Sequence, residues 1–113
     1  MNGPWVPEAG DFIWLPFDPK AGREQAGRRP ALVLSPRGYN ARAGLALVCP
    51  ITNHAKGYPL EVAAPADSGA TGVILADHVK SVDWKARRAE KAGEFPDEVI
   101  DEVRARIAPL LGY

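Results

Sequence analysis

The sequence contains a single cysteine, Cys49, and only two histidines among its 113 residues. One cysteine excludes an internal disulfide framework and any metal site built from several cysteines. No apolar run approaches the roughly 18 residues that span a membrane, and the first residues lack the basic-then-apolar pattern of a secretory signal. We therefore expect a cytoplasmic protein that works without a metal ion, a cofactor or a membrane.

Net charge is also absent, because 14 lysines and arginines balance 14 aspartates and glutamates. The balance conceals two patches of opposite sign. Residues 20–42 hold six basic residues and one acid, whereas residues 94–102 hold five acids and no base. An uneven distribution of this kind favours a basic face for a polyanion, with nucleic acid as one candidate.

The composition is that of a globular domain, with 46% hydrophobic and 25% charged residues. A chain of this length corresponds to one domain, which we expect to span residues 1–113. Short apolar runs separated by proline and glycine predict five strands, at 11–17, 31–35, 45–51, 58–62 and 72–76. The fifth strand has a candidate continuation through Val79 and Val82. Pro50 and Pro59 indicate an edge or a bulge, because proline donates no ladder hydrogen bond.

The last segment changes period. Apolar residues at spacings of three and four form one helical stripe, consisting of Val99, Ile100, Val103, Ile107, Leu110 and Leu111. Pro96 precedes the first turn, and Pro109 should distort or end the helix near Ala108. The fold class is thus mainly β with a C-terminal helix, arranged as a small closed or half-closed barrel that the helix caps.

Five motifs occur in order along the chain: Gly10-Asp11, EQAGRRP at 24–30, Pro50-Ile51-Thr52, KGYP at 56–59 and LADHVKS at 75–81. Taken together they resemble the MazF/PemK (Kid) family of toxin endoribonucleases, and the MazF branch most closely. The resemblance implies an SH3-like β-barrel, a homodimer and sequence-specific cleavage of single-stranded RNA. It also implies neutralisation by a small MazE-like antitoxin.

The resemblance assigns catalysis to Arg29 and Thr52. A guanidinium forks onto two phosphate oxygens and suits a developing dianion, although an arginine here can also simply pair with Glu24. A threonine before asparagine commonly caps a turn. The position of Thr52 alone therefore does not decide between a catalytic role and a turn-capping role. Arginine is a poor base because its guanidinium stays protonated in proteins. Glu24 is therefore a catalytic candidate, and His78 is an alternative base that departs from the glutamine common in the family.

The remaining site residues would contact RNA or the antitoxin. Aromatic stacking and basic side chains hold single-stranded RNA, and the predicted RNA-binding residues are Phe17, Ser35, Lys56, His78 and Lys80. An acidic antitoxin segment is expected on Lys20, Arg23, Arg28 and Arg29. Trp5, Trp14 and Trp84 are expected to pack, and Cys49 to be a buried hydrophobe.

The predicted reaction is attack of the RNA 2′-OH on phosphorus, which leaves a 2′,3′-cyclic phosphate and a 5′-OH without a metal ion. Two other functions fit the same fold. One is a non-catalytic CcdB-like toxin that binds a topoisomerase, and the other is an SH3-like adaptor that binds peptides.

Overall fold

The computed structural model describes residues 5–16 and 28–113, in which seven strands and two α-helices follow one another. The strands are β1 Asp11–Pro16, β2 Arg28–Val33, β3 Ala46–Thr52, β4 Glu61–Ala63, β5 Val73–Leu75, β6 Lys80–Val82 and β7 Glu90–Glu94. The α-helices are α1 Arg37–Ala43 and α2 Asp97–Ile107, and short 3-10 helices span Ala76–His78 and Ala108–Leu111. No helix in the described ranges is both long enough and apolar enough to cross a membrane.

All strand pairs are antiparallel, in the order β4-β5-β3-β2-β1-β7, with β6 pairing β3 beside that path. The predicted fold class, mainly β with a C-terminal helix, is therefore confirmed. In the described part of the chain the pairing does not close, because β4 and β7 each have one partner. This strand order matches the half-closed form of the predicted barrel rather than the closed form.

The middle segments of β1, β2 and β3 are buried on both faces, which explains why these segments are apolar. Phe12, Leu32 and Cys49 pack in one cluster with the buried face of α2. Their neighbours Ile13, Val33 and Val48 point the other way, into a second cluster that contains Trp84. The stripe of Ile100, Val103 and Ile107 thus caps the first face, as the 3.6-residue period predicts.

Strand β3 changes partners along its length. Its first half pairs with β6 from Ala46 to Val48, and its last two residues, Ile51 and Thr52, pair with β5. Pro50 lies in the gap between these two ladders while facing Ala31 of β2 on the other side. The sequence indicated an edge or a bulge at this proline, whereas β3 lies between β2 and β5 in the sheet. The missing N–H instead falls where the ladder on one side of β3 is interrupted.

The fifth predicted strand corresponds to β5, but its candidate continuation through Val79 and Val82 is wrong. The 3-10 helix Ala76–His78 separates β5 from β6, which pair with opposite ends of β3. The fourth strand begins at Glu61 rather than Tyr58, because residues 58–60 form a turn.

Helix α1 lies in a segment that proline and glycine mark as a turn. Asn40, which is fully buried, secures it by donating through Nδ2 to the carbonyls of Pro7 and Ser35, each at 2.9 Å. Trp84 Nε1 donates to the Asn40 carbonyl at 3.0 Å. The indole also meets Trp5 edge to face, so the expected packing of these two tryptophans is confirmed.

Strand β7 is an exposed, mostly charged edge that pairs with β1 around an irregularity between Phe12 and Ile13. Lys91 on this strand lies 3.6 Å from the buried Asp11 and 2.6 Å from Glu94. Helix α2 ends at Ile107, as Pro109 predicts, and Leu110 and Leu111 leave the buried stripe for the exposed 3-10 helix.

Candidate functional site

Thr52 is the last residue of β3, and its backbone pairs with Val73 of β5. The side chain is half-buried, and Oγ1 accepts a hydrogen bond from the backbone N–H of His54 at 3.1 Å. This is the turn-capping contact of a strand-end threonine. Because it uses the oxygen as an acceptor, the hydroxyl hydrogen can still be donated to a second group.

Arg29 reaches the same place from the neighbouring strand. The Arg29 side chain is exposed, and the backbone of Arg29 pairs with Leu15 of β1. Strands β2 and β3 pair Ala31 with Pro50. Continuing that antiparallel register by two residues brings Arg29 opposite Thr52. The strand ends thus bring a guanidinium and a hydroxyl together across 23 residues of sequence.

Both side chains line a cavity of about 280 Å³. Half-buried Trp14 of β1 lines it as well, together with Asn53 after β3 and Thr71 before β5. Thr71 Oγ1 donates to Asn53 Oδ1 at 2.6 Å. The cavity therefore combines a cation, two hydroxyls, an amide and an aromatic ring.

A second cavity of about 250 Å³ adjoins the first, because Thr52 and His54 line both. Lys56 and Tyr58 line it from the turn after β3, and Asp77 and His78 from the 3-10 helix. His78 Nε2 lies 3.8 Å from Asp77 Oδ1, and both side chains are exposed. A basic, aromatic surface thus continues from Arg29 past the end of β3.

Cys49 lies beneath this surface and is fully buried. Burial raises the pKa of the thiol to about 12, and the negative charge of Asp77 adds to the effect. Its Sγ contacts the Ala76 carbonyl at 3.8 Å. The thiol stays protonated near neutral pH, so the prediction that Cys49 is a buried hydrophobe is confirmed.

A family model described as "PemK-like, MazF-like toxin of type II toxin-antitoxin system" matches residues 8–111. The chain belongs to this toxin family. The endoribonuclease toxin MazF of Escherichia coli K12 is 48% identical over 112 residues, covering 99% of this chain and all of the relative. Endoribonuclease PemK of Escherichia coli is 32% identical, covering 92% of this chain and 81% of the relative.

The solved structures agree with the family. The MazE-MazF complex (Form-II) from Deinococcus radiodurans superposes with a TM-score of 0.91 at 56% identity, covering 96% of this chain and 98% of that chain. The resemblance to the MazF/PemK family stated from the motifs is therefore confirmed, and MazF relatives share more identity with the chain than PemK does.

The structure brings four of the predicted site residues of this MazF-like toxin to the two adjoining cavities: Arg29, Thr52, Lys56 and His78. Four others, Glu24, Phe17, Lys20 and Arg23, lie outside the described residues, and of Arg28 only the backbone pairing with Pro16 is described.

Ser35 and Lys80 are placed elsewhere. The hydroxyl of Ser35 is buried, donates to Asn40 Oδ1 at 2.6 Å and accepts the backbone N–H of Leu47 at 2.9 Å. This placement argues against the predicted RNA contact of Ser35, since the hydroxyl holds α1 to the sheet. Lys80 lines a separate groove beside Leu47 and Tyr113, away from Arg29.

No motif of the sequence pointed to four further residues that line the cavities: Trp14, Asn53, Thr71 and Glu61. Trp14 packs against Phe12 and the core, as expected, and its half-buried side chain also borders the first cavity. Nothing in the local sequence links Asn53 to Thr71, because only the pairing of β3 with β5 brings them together.

Across residues 5–16 and 28–113, no three His, Cys, Asp or Glu side chains are grouped as a metal ion would require. The chemistry that the described site offers is that of a guanidinium, hydroxyls, an amide and imidazoles. These groups bind and polarise phosphate esters and nucleobases.

Proposed function

We propose that this chain is the toxin of a type II toxin-antitoxin system and cleaves single-stranded mRNA as a sequence-specific endoribonuclease. The observation that carries the proposal is the meeting of Arg29 and Thr52 in one cavity at the ends of β2 and β3. The endoribonuclease names of the MazF and PemK relatives support it. We place the activity in the cytoplasm, where bacterial mRNA is found, with residues 1–113 acting as one domain.

In the proposed reaction the RNA 2′-oxygen attacks the adjacent phosphorus. A 2′,3′-cyclic phosphate forms, the bond from phosphorus to the 5′-oxygen breaks, and that oxygen leaves as a 5′-OH. The proton that the 5′-oxygen gains balances the proton that the 2′-OH loses to a base. Arg29 neutralises the charge that develops on the non-bridging oxygens, and the Thr52 hydroxyl donates a hydrogen bond to one of them. The cavity needs no metal ion or cofactor for these two roles.

The proton of the 2′-OH requires a base other than arginine. Glu24 is the first candidate, and His78 is the second because it lies in the adjoining cavity beside Asp77. A neutral imidazole has a nitrogen that can accept the proton. The alternative role of His78 is contact with a base of the RNA.

The rest of the substrate follows the second cavity. Lys56 offers a cation to the phosphate backbone, and exposed Tyr58 offers a ring face. Phe17 is proposed to stack a base of the RNA. The acidic antitoxin segment is proposed to bind Lys20, Arg23, Arg28 and Arg29, so that it competes with RNA for Arg29. Neighbouring structures of MazE-MazF complexes support an antitoxin partner.

We also propose that the chain forms a homodimer through the groove beside the C-terminal helix. That groove has a volume of about 500 Å³ and is lined by apolar side chains that include Leu47, Val79, Leu111 and Tyr113. Tyr113 is 91% exposed and Leu111 is 67% exposed. Neighbouring apolar side chains with such large exposed fractions mark an interaction surface. Homo-oligomers are most often two-fold dimers.

The comparisons do not favour the CcdB-like reading, because the relatives of this chain are named endoribonucleases. The test is incubation of the purified protein with single-stranded RNA in excess EDTA, followed by mass analysis of the fragments. We expect cyclic-phosphate and 5′-OH ends, and an RNA with 2′-deoxyribose at the cleaved step should resist.

Arg29→Ala should slow cleavage by about 100-fold or more, because loss of one preorganised donor to an oxyanion has that effect. Arg42→Ala, which removes an exposed arginine at the end of α1, is the matched control and should cleave at the wild-type rate. Equal rates for Arg29→Ala and wild type would contradict the proposal, as would cleavage of the 2′-deoxy substrate.

A further inference from the structure

The turn that carries Lys56 and Tyr58 to the second cavity has no buried side chain to hold it. Residues 53–59 are all exposed, Tyr58 to 61%, and Leu60 is half-buried. A segment without buried apolar side chains is positioned by its polar contacts, and such segments open most easily. The hydrogen bonds made by this turn therefore decide where its cation and its aromatic ring stand relative to RNA.

Arg106 of α2 supplies one of these hydrogen bonds across 47 residues of sequence. Its Nη1 donates to the carbonyl oxygen of Pro59, and its Nη2 donates to a carboxylate oxygen of Glu102 at 2.6 Å, one helical turn earlier. The guanidinium is planar and its donors form a fixed fork. Two contacts through different nitrogens therefore fix its orientation. The buried residues Val103 and Ile107 hold this part of α2 against the core.

A fixed Pro59 carbonyl orients the residues before it. The proline ring holds φ near about −65°, so the direction of the carbonyl sets the one backbone dihedral that stays free at this residue. The backbone N–H of Glu61 donates to the Tyr58 carbonyl at 3.1 Å and closes the turn around Pro59. Helix α2 thus holds the second half of the turn, while the Glu61 carboxylate holds the first half at Lys56.

Arg106 itself lines neither of the two adjoining cavities. We propose that Arg106 is a positioning residue for RNA binding, which Glu102 orients and which acts through the turn of residues 56–60. The inference rests on the proposed RNA cleavage and adds a residue of the C-terminal helix to the binding of its substrate. Because the turn binds RNA away from the cleaved bond, loss of Arg106 should raise KM and leave kcat nearly unchanged.

The first test is steady-state cleavage of one single-stranded RNA that the wild type cuts. Binding is measured on the same RNA with 2′-deoxyribose at the cleaved step. Arg106→Ala should raise KM and Kd about fivefold, the ratio for one lost hydrogen bond, while kcat stays within about twofold of wild type. Arg106→Lys keeps a cationic donor and should recover part of the affinity. Arg42→Ala removes the same charge from α1 and is the control, for which KM should not change.

Two further comparisons separate positioning from a direct contact of Arg106 with RNA. Glu102→Ala removes an acid, so a guanidinium that bound phosphate directly would then bind RNA more tightly. For a positioning residue the same substitution frees the guanidinium to turn, and KM should rise about twofold, the ratio for one i,i+4 pair. In the Lys56→Ala/Tyr58→Ala double variant, Arg106→Ala should raise KM less than about twofold, because the side chains that it positions are gone.

The inference is overturned if Arg106→Ala leaves KM unchanged, if Glu102→Ala lowers KM, or if the full effect of Arg106→Ala persists in the double variant. If Arg106→Ala does not fold, Glu102→Ala decides alone, since positioning and direct contact change KM in opposite directions. Wild-type protein that leaves a random-sequence, single-stranded RNA pool intact would contradict the proposed function, and the inference with it.

Discussion

The carboxylate of Glu61 accepts the backbone N–H of Lys56 through both of its oxygens, at 2.9 and 3.2 Å. One of these oxygens also accepts the N–H of Gly57 at 2.9 Å. Gly57 has a φ of +82°, and successive N–H groups in such a turn converge on one anion. The chain thus uses an internal carboxylate to hold the turn that carries Lys56 to the second cavity.

Removal of this carboxylate should weaken RNA binding more than the chemical step. For Glu61→Ala we expect KM for RNA to rise about 5- to 10-fold, equivalent to about 1 kcal/mol, with kcat nearly unchanged, because Lys56 binds RNA away from the cleaved bond. Glu61→Gln keeps an acceptor oxygen and should lose less. Asp101→Ala removes an exposed acid from α2 and serves as the control in steady-state kinetics. An unchanged KM for Glu61→Ala would refute the role of Glu61.

Gly72 is required by the close approach of β5 to the end of β3. It has a φ of +98°, and an added Cβ would lie 2.0 Å from the carbonyl oxygen of Thr52. Gly72→Ala should therefore destabilise the fold by more than about 1 kcal/mol and reduce kcat, since Thr52 must move. Urea unfolding and cleavage rates measure the two effects.

Gly38 provides the opposite case within the same experiment. It lies in α1, and an added Cβ would meet nothing within 4 Å. Gly38→Ala should stabilise the protein by about 0.4–1 kcal/mol, because alanine has less freedom to lose on folding. Equal destabilisation by both substitutions would show that backbone conformation and space at residue 72 are not decisive.

Acid should weaken the contact between the N-terminal segment and α1. The backbone N–H of Arg37 and then that of Ala9 hydrogen-bond to Glu8 and hold the pKa of its carboxyl below the usual 4.5. A depressed pKa adds stability that is present above pH 4.5 and lost as pH falls through the folded value. We expect Glu8→Gln to lower Tm at pH 7, and the two proteins to converge once the pH falls below the lowered pKa of Glu8 in the folded protein. A constant difference in Tm would contradict this linkage.

The homodimer is tested at the groove beside the C-terminal helix. Leu111→Glu places a charge on the exposed apolar surface without disturbing the core. Light scattering should then report a mass near 12.2 kDa in place of twice that value. Arg87→Glu reverses an exposed charge outside the groove and should leave the dimer intact. A wild-type monomer would exclude the dimer, and a dimeric Leu111→Glu would place its interface elsewhere.

The local sequence predicted those strands and helices whose pattern of apolar residues reflects which of their faces are buried. The middle segments of strands β1, β2 and β3 are apolar because both of their faces are buried, and α2 has an apolar stripe because one of its faces is buried. The ordered motifs were sufficient to predict the toxin family. Strand β7 was missed because an exposed edge strand is held by backbone pairing with β1, which leaves no apolar pattern.

Sequence by itself determined the residue types of the site: an arginine before the second strand, a threonine after the third and a lysine in the next turn. Only the tertiary structure decided which of them meet. The register of β2 against β3 brings Arg29 opposite Thr52, and the pairing of β3 with β5 brings Asn53 to Thr71. The same packing buries Ser35 beneath α1. Strand register and burial arise from contacts between distant segments, so no local pattern of residues specifies them.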